Sequence, residues 1–437
     1  MQYQTNDLEQ HWMPFTANRE FKSDPRIVVG GNGVYFTDHK GGKVIDGSSG
    51  LFCCPLGHGR KEIAEAVYQQ LLENDYASPF MTSTPGTFEL ANRVARITPD
   101  PINHVFFVNS GSESIDTALK MVMAYHRARG EGQRTRFVSR ERAYHGVNIG
   151  GVSLSGMVRN RETFTSVMPN VVVIRHTWTG DELFVRGQPE HGAELADDLA
   201  RHCETYGGST IAAVFVEPVA GSTGTLVPPK GYLQRLRKIC DEHGILLVFD
   251  EIQTGFGRTG KWFAHEHYNV RADLLCIGKG LTSSLPLAAL LGPASILDLL
   301  SPAEVTTTHA GHPLSCAAAL ANLDILEEDN LIDQALEKGK LASATLQQLQ
   351  TRFPEYIAST KGLGLLQAIH VRNPATNTPD EELAWHWTAA AVRRGVMLFH
   401  THRSTLKICP PLIIPEDALV EGIVALGEAL DDYLHSK

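Results

Sequence analysis

Short apolar runs, each cut off by a glycine or a charge, alternate with amphipathic stretches through the middle of the chain. The runs are Val105–Val108, Thr135–Ser139, Val171–Ile174, Ile211–Val216, Gly244–Asp250 and Ala272–Ile277. Consecutive apolar positions over so short a length read as strands buried on both faces of a parallel sheet. Between them the apolar positions take helical spacing, after Ser110 through about Arg127, near Ala193–Tyr206 and at Tyr232–His243. Strand–helix alternation of this kind predicts a parallel, doubly wound α/β sheet.

The flanks read differently. Residues 1–25 are polar with scattered aromatics (Trp12, Phe15, Phe21) and read as an arm packed on the body. Ile27–Val29, Val34–Phe36 and Val44–Ile45 read as short strands. Gly30-Gly31-Asn32-Gly33 between the first two is a hairpin turn and not a dinucleotide fingerprint, because the third glycine is misplaced and strand follows, not helix. Helices are expected from Lys61, with Ile63, Val67 and Leu71 on one face, over Thr87–Thr98 up to Pro99, and over Leu314–Leu326. From Leu331 a long helix, a strand region at Gly362–Val371, a helix near Glu381–Arg394 and strands at Val396–Phe399 and Leu406–Ile408 predict a smaller α+β lobe. The expected division is an arm and part of the small domain over 1–55, a large domain over 56–325 and a C-terminal small domain over 326–437.

Composition narrows the classes. Hydrophobic residues make up 43% and charged residues 20% of the 437, ordinary values for a soluble globular protein. The net charge of −10, with its acids scattered, argues against nucleic acid or an anionic membrane as partner. Seven cysteines, odd in number and without paired metal spacing, fit a reduced cytoplasmic setting with buried thiols and no metal. Met1–Gln10 lacks the basic and apolar parts of a secretory signal. No apolar run approaches the roughly 20 residues that span a bilayer.

Two strand ends carry the chemistry. One run stops at Asp250-Glu251 and a later one at Lys279. In open α/β sheets ligands sit beyond the carboxyl ends of the strands, so both side chains should enter one crevice. A carboxylate facing an amine suits pyridoxal phosphate (PLP), which needs a lysine for its aldehyde and an acid for its pyridine nitrogen. Read alone, Asp250 could also be a magnesium ligand or a helix cap. Lysine seldom ends a buried strand, and Gly280 stands where a phosphate-binding P-loop needs Ser or Thr. Ile252 falls on the same side as Asp250 in strand alternation, and Gln253 is near enough to reach a ring oxygen. Ser110-Gly111-Ser112 follows a strand and opens a helix, which suits either phosphate or an ordinary serine cap. Tyr144, in Tyr144-His145-Gly146, could stack on a flat ring or simply fill the core. Glu217 ends another buried run, which suits facing the crevice, bridging an arginine, or both.

These residues, taken together, resemble a class III aminotransferase of the fold-type I PLP enzymes, closest to the ω-amino acid:pyruvate (β-alanine:pyruvate) group. The resemblance runs from His11-Trp-Met-Pro-Phe15 through Gly57-His-Gly59, Asn109–Ser114, Tyr144-His-Gly146, Glu217-Pro-Val219, Asp250–Gly260 and Lys279-Gly-Leu281 to Pro410-Pro-Leu412. It implies a large domain with a mostly parallel sheet and a small α+β domain built from both ends of the chain. Lys279 would form the Schiff base and move the proton, Asp250 would partner the pyridinium, and Tyr144 and Ile252 would sandwich the ring. Ser110, Gly111 and Ser112 would hold the phosphate, Gln253 would approach the phenolic oxygen, and His145 and Glu217 would complete the shell. Thr308 would reach the phosphate of a neighbouring subunit, implying a homodimer or a tetramer. Phe52 and Phe80 match positions lining the substrate pocket. The arginine that receives a carboxylate in the ω-transaminase pattern falls at His400 here, with Arg403 nearby and Lys407 at the arginine position of other class III branches. The expected reaction passes an amino group from an ω-amino acid or amine to an oxo acid, pyruvate first. The alternative is a class III racemase or epimerase that returns the proton to the same carbon.

Overall fold

The apolar runs pair into one seven-stranded sheet. Its order is His104–Val108, Ala288–Gly292, Leu274–Ile277, Leu246–Asp250, Ile211–Val216, Arg136–Arg140 and Val171–Ile174. The computed structural model describes residues 8–165, 167–178, 185, 187–401 and 404–436. Six strands run the same way, and Ala288–Gly292 is antiparallel to both of its neighbours. That strand is absent from the sequence reading. It follows the lysine strand with only the 3-10 turn Lys279–Leu281 between them. A connection without a crossover helix cannot bring the chain round to start a parallel neighbour.

Every strand from Ile211 to Ile277 in this sheet is buried along its length. The helix Gly111–Ala128 starts beside the end of His104–Val108, and its face Ile115, Ala118, Leu119 and Val122 packs against the sheet. Parallel direction therefore delivers Gly111, the Arg140 turn, Glu217, Asp250 and Lys279 to one edge of the sheet.

Both ends of the chain meet in a second sheet. Val28–Asn32, Tyr35–Asp38 and Lys43–Asp46 form an antiparallel meander, and Val396–Met397 joins it parallel to Lys43–Asp46. The first hairpin turns at Gly33, which has φ +58°, and Gly30 and Gly31 lie in its strand. A third sheet holds Ile357–Leu363, Leu366–Val371, Thr405–Ile408 and Phe399–Thr401. The expected strand Val396–Phe399 is thus two strands, because the chain leaves one sheet and enters another at Leu398. The expected strand region at Gly362–Val371 is a hairpin, turning at Gly364 with φ +52°, the backbone that tight hairpins require.

The closing helix Glu416–His435 is also absent from the sequence reading. It buries Ala418, Leu419, Gly422, Ile423, Leu426 and Leu430, a stripe at helical spacing. Trp387 of the helix Glu381–Arg393 is fully buried, and its Nε1 donates to Leu426 O at 2.7 Å. Trp387→Ala is expected to cost about 3–5 kcal/mol, seen as a lower urea midpoint with cofactor bound. An unchanged midpoint would mean that the two helices do not depend on this contact. No helix among the described residues is long and apolar enough to cross a membrane.

One expected face is covered only in part, with Val67 packed against the core. On the helix Lys61–Glu73, Ile63 is buried but Leu71 is 50% exposed, beside exposed Tyr68 and Leu72.

Candidate active site

The strand ends open into a cavity of about 310 Å³. Gly111, Ser112, Tyr144, His145, Glu217, Asp250, Ile252, Gln253 and Lys279 all line it, as does Ser110. The parallel sheet brings these segments together.

At the helix N-terminus, Ser110 caps: its Oγ accepts the Glu113 N–H at 3.2 Å. Glu113 in turn accepts the Asn109 N–H at 2.9 Å. The serine-cap reading of Ser110 therefore holds, which leaves the Gly111 and Ser112 N–H groups for a ligand, with no protein acceptor among the described residues. Ser112 Oγ accepts the Val147 N–H at 3.0 Å, fixing the loop after His145. Two glycines make the floor. A Cβ on Gly111 would meet Ile252 Cδ1 at 2.7 Å, and one on Gly146 would meet Ser112 Oγ at 2.6 Å. Unspent amides on an 18-residue helix, with side-chain bulk excluded around them, fit a phosphate.

Asp250 is 7% exposed. His145 Nδ1 donates to its Oδ2 at 2.9 Å, and the Ile252 N–H donates to its Oδ1 at 3.1 Å. The neighbouring Glu217 is not the arginine salt bridge that its position allowed. Arg140 donates to the Glu217 main-chain oxygen at 2.9 Å, while the Glu217 carboxylate accepts the Gly221 N–H at 3.0 Å. Burial, together with Asp250, raises the Glu217 carboxyl above its ordinary range. Burial and Asp250 likewise raise the Tyr144 phenol. Gln253 Nε2 is buried without a protein partner, a donor left over for a ligand.

Lys279 faces the cavity and is otherwise enclosed. Burial lowers its amine from the usual lysine value, against the pull of Asp250 and Glu217. Its φ of +42° is unusual for a side-chain-bearing residue and turns the chain sharply at the strand end. A basic ring nitrogen, an aldehyde and a phosphate thus each find a matching group: Asp250, Lys279, and the amides of Gly111 and Ser112. The residues present fit PLP.

The substrate side is less uniform. Phe52 is buried, packs on Phe399 at 6.2 Å between ring centroids, and carries Lys407 Nζ 4.1 Å from its own centroid. Phe399 and Lys407 are cross-strand partners and share a face. His400 pairs with Leu406 one position on, and its ring lies 5.1 Å from Trp385 of the outer helix. Strand alternation thus turns His400 toward that helix and gives Phe399 the side facing Phe52. Arg403 lies outside the described residues. Phe80 and Thr308 are exposed and do not line the cavity of their own chain. Thr308 O accepts the Tyr76 hydroxyl at 2.7 Å.

Sequence reasoning missed several residues. Cys53, Asn109, Ser222, Thr254 and Ser284–Leu287 line the cavity. Arg258 is buried and donates to Leu365 O, Pro410 O and Ser49 Oγ, so one guanidinium ties three distant segments around the pocket wall. An arginine in the glycine-rich Gly255–Gly260 stretch was a readable signal, since a buried arginine must find acceptors.

The sequence model described as aminotransferase class-III matches residues 16–430. The omega-aminotransferase of Caulobacter vibrioides is 43% identical over 435 residues, covering 97% of this chain and 98% of that protein. The omega-amino acid–pyruvate aminotransferase of Pseudomonas putida is 46% identical over 341 residues, 76% of each chain. The crystal structure of the omega transaminase from Pseudomonas jessenii in complex with PMP superposes with a TM-score of 0.92 at 30% identity, covering 98% of both chains.

Proposed function

The chain belongs to the class-III aminotransferase family, and we propose that this PLP enzyme moves an amino group from an ω-amino acid or amine to an oxo acid, pyruvate first. The observation that carries this reading is the convergence of Asp250, Lys279 and the free Gly111 and Ser112 amides on one cavity. The names of the relatives support the donor and acceptor, and favour group transfer over racemisation.

PLP, when bound, supplies an aldehyde that takes up the amino group and a protonated ring that draws electrons from the adjacent carbon. The side chains do the rest. Asp250, buried and oriented by His145, would hold the ring proton. Ile252 and Tyr144, which line the cavity, would confine the ring, and Gln253 would donate to its phenolic oxygen. Gly111 and Ser112 bind the phosphate, with Ser110 shaping the helix end. Lys279 would hold the aldehyde and, once freed, would move the proton at the substrate Cα. An amine below the usual lysine range carries less positive charge near neutral pH, which suits a general base.

In the same reading Thr308, exposed in its own chain, completes the phosphate site of a second copy. The apolar face of Tyr68, Leu71 and Leu72 is the kind of surface that such a homodimer would cover. Phe80 would line the pocket from across that contact. The chain divides at about residues 55 and 325, and the enzyme works in the cytoplasm.

Two experiments test the reading. Purified holoenzyme receives β-alanine, L-alanine, a terminal diamine or an aryl-alkyl amine, without acceptor. Bleaching of the yellow pyridoxal absorbance with growth of the pyridoxamine form is expected for the matching donor class. Persistent yellow colour while an amino acid loses optical purity would overturn group transfer. Second, Arg403→Ala is expected to raise KM for pyruvate more than KM for an amine lacking a carboxylate. Equal changes would remove Arg403 from carboxylate capture.

A further inference from the structure

Two thiols stand side by side in the pocket wall, and no step assigned above uses them. The sulfurs of Cys53 and Cys54 are 3.8 Å apart. Both lie over Gly50, where a Cβ would meet Cys54 Sγ at 3.3 Å and Cys53 Sγ at 3.6 Å. The missing side chain at Gly50 lets two consecutive cysteines turn to one side. Ser49, Gly50 and Phe52 have φ of +49°, +66° and +64°, a compact turn that a regular strand or helix would not allow. Asp46 holds the turn by accepting the Ser48 and Gly50 N–H groups, and Arg258 holds it through Ser49 Oγ.

The two thiols are not equivalent. Cys53 is half-buried and lines the cavity with Lys279, whereas Cys54 is buried behind it. The hydrogen bond from Cys54 and the charge on Lys279 hold the Cys53 thiol below the usual cysteine range, against burial. The other five cysteines are buried, and burial pushes each of their thiols up. Thiolate character and access select the cysteine that reacts.

We propose that Cys53–Cys54 is an oxidative modification site, at which a peroxide small enough to enter the cavity drives closure of the pair to a disulfide that turns the enzyme off reversibly. The Cys53 thiolate attacks one peroxide oxygen, the O–O bond breaks, and hydroxide leaves to be protonated to water. The Cys53 sulfur then carries a hydroxyl. Cys54 sulfur attacks Cys53 sulfur, the S–O bond breaks, and the departing hydroxide takes the Cys54 proton as a second water. Two thiols lose two electrons and the peroxide gains them; a dithiol reductant reverses the change. Closing the sulfurs to about 2.05 Å must rotate the turn that carries Phe52, the ring beneath Lys407. Adjacent Cα atoms sit about 3.8 Å apart, closer than the ordinary disulfide range of roughly 4.4–6.8 Å, so the bond is strained and easily reduced again.

The test uses holoenzyme and hydrogen peroxide, quenched with a thiol-alkylating reagent. Trypsin releases residues 44–60, which contain both cysteines. That peptide is expected to lose two hydrogens in mass and to escape alkylation, while amine turnover is mostly lost. Dithiothreitol should restore both. In Cys54→Ser the peptide should instead gain one oxygen, or a dimedone adduct, at Cys53. Cys53→Ser should resist peroxide. Two alkylated thiols in the peptide after activity is lost would overturn the proposal. So would peroxide sensitivity of Cys53→Ser at the wild-type rate, or full activity of the disulfide form. The mass readout does not depend on which amine the enzyme uses, so it stands apart from the transaminase reading.

Discussion

Lys279→Ala is expected to lower kcat by about 10⁴-fold or more, the range that a lost general base and nucleophile commands. The fold should survive. Lys279 faces the cavity, and burial disfavours its charged form, so truncation removes a cation that the site holds at a cost. Its φ of +42° strains lysine and alanine alike, so the substitution adds no backbone penalty. A circular dichroism spectrum and a urea midpoint near those of the parent protein should accompany the loss of turnover. Borohydride treatment of parent holoenzyme should fix the cofactor on the peptide containing Lys279, and the variant should carry none. Wild-type turnover in the variant would sink the mechanism. Lost turnover with a collapsed fold would instead make Lys279 a structural residue.

The strong reading of Lys279 and Asp250 from sequence has a physical root. A charge that closes a fully buried apolar run has few structural excuses, and in a parallel sheet such ends share one edge. Asp250, Glu217 and Lys279 all met that condition and all line the cavity. Residues on strands shared between sheets were harder to read. Val396–Phe399 looks like one apolar run, yet its two halves serve different sheets, and the break at Leu398 decides which side chains face Phe52. The family resemblance puts the carboxylate-binding position at His400, whereas strand alternation gives the inward side to Phe399 and Lys407. Ala288–Gly292 went unread because its direction depends on what precedes it and not on its own pattern. The turn at Ser49–Phe52 went unread because its backbone has no periodicity, and only the tertiary bonds to Asp46 and Arg258 define it.

Lys407→Met is expected to raise KM for pyruvate about 10- to 150-fold, the ratio that ~1.5–3 kcal/mol for a charged hydrogen bond commands. Methionine keeps the length of the stem and its packing on Phe52, so the change isolates the charge. Lys407 is buried, its Nζ sits over the Phe52 ring, and among the described residues no carboxylate forms an ion pair with it. A buried cation in that position is an open seat for a substrate carboxylate. KM for an amine without a carboxylate should hardly move. The pH dependence gives an independent check. Burial, reinforced by Lys279, brings the Lys407 amine down to about 8, with Cys409 and Glu217 pulling the other way. Below that value the ammonium form prevails and can bind the carboxylate; above it the charge is lost. KM for pyruvate should therefore rise as pH climbs through about 8 in the parent enzyme, and that rise should vanish in Lys407→Met. The carboxylate-free amine serves as the control for Lys279, which lines the cavity and affects both substrates. A KM for pyruvate that is indifferent to the substitution, with the pH slope intact, would take Lys407 out of acceptor binding and leave that role to Arg403.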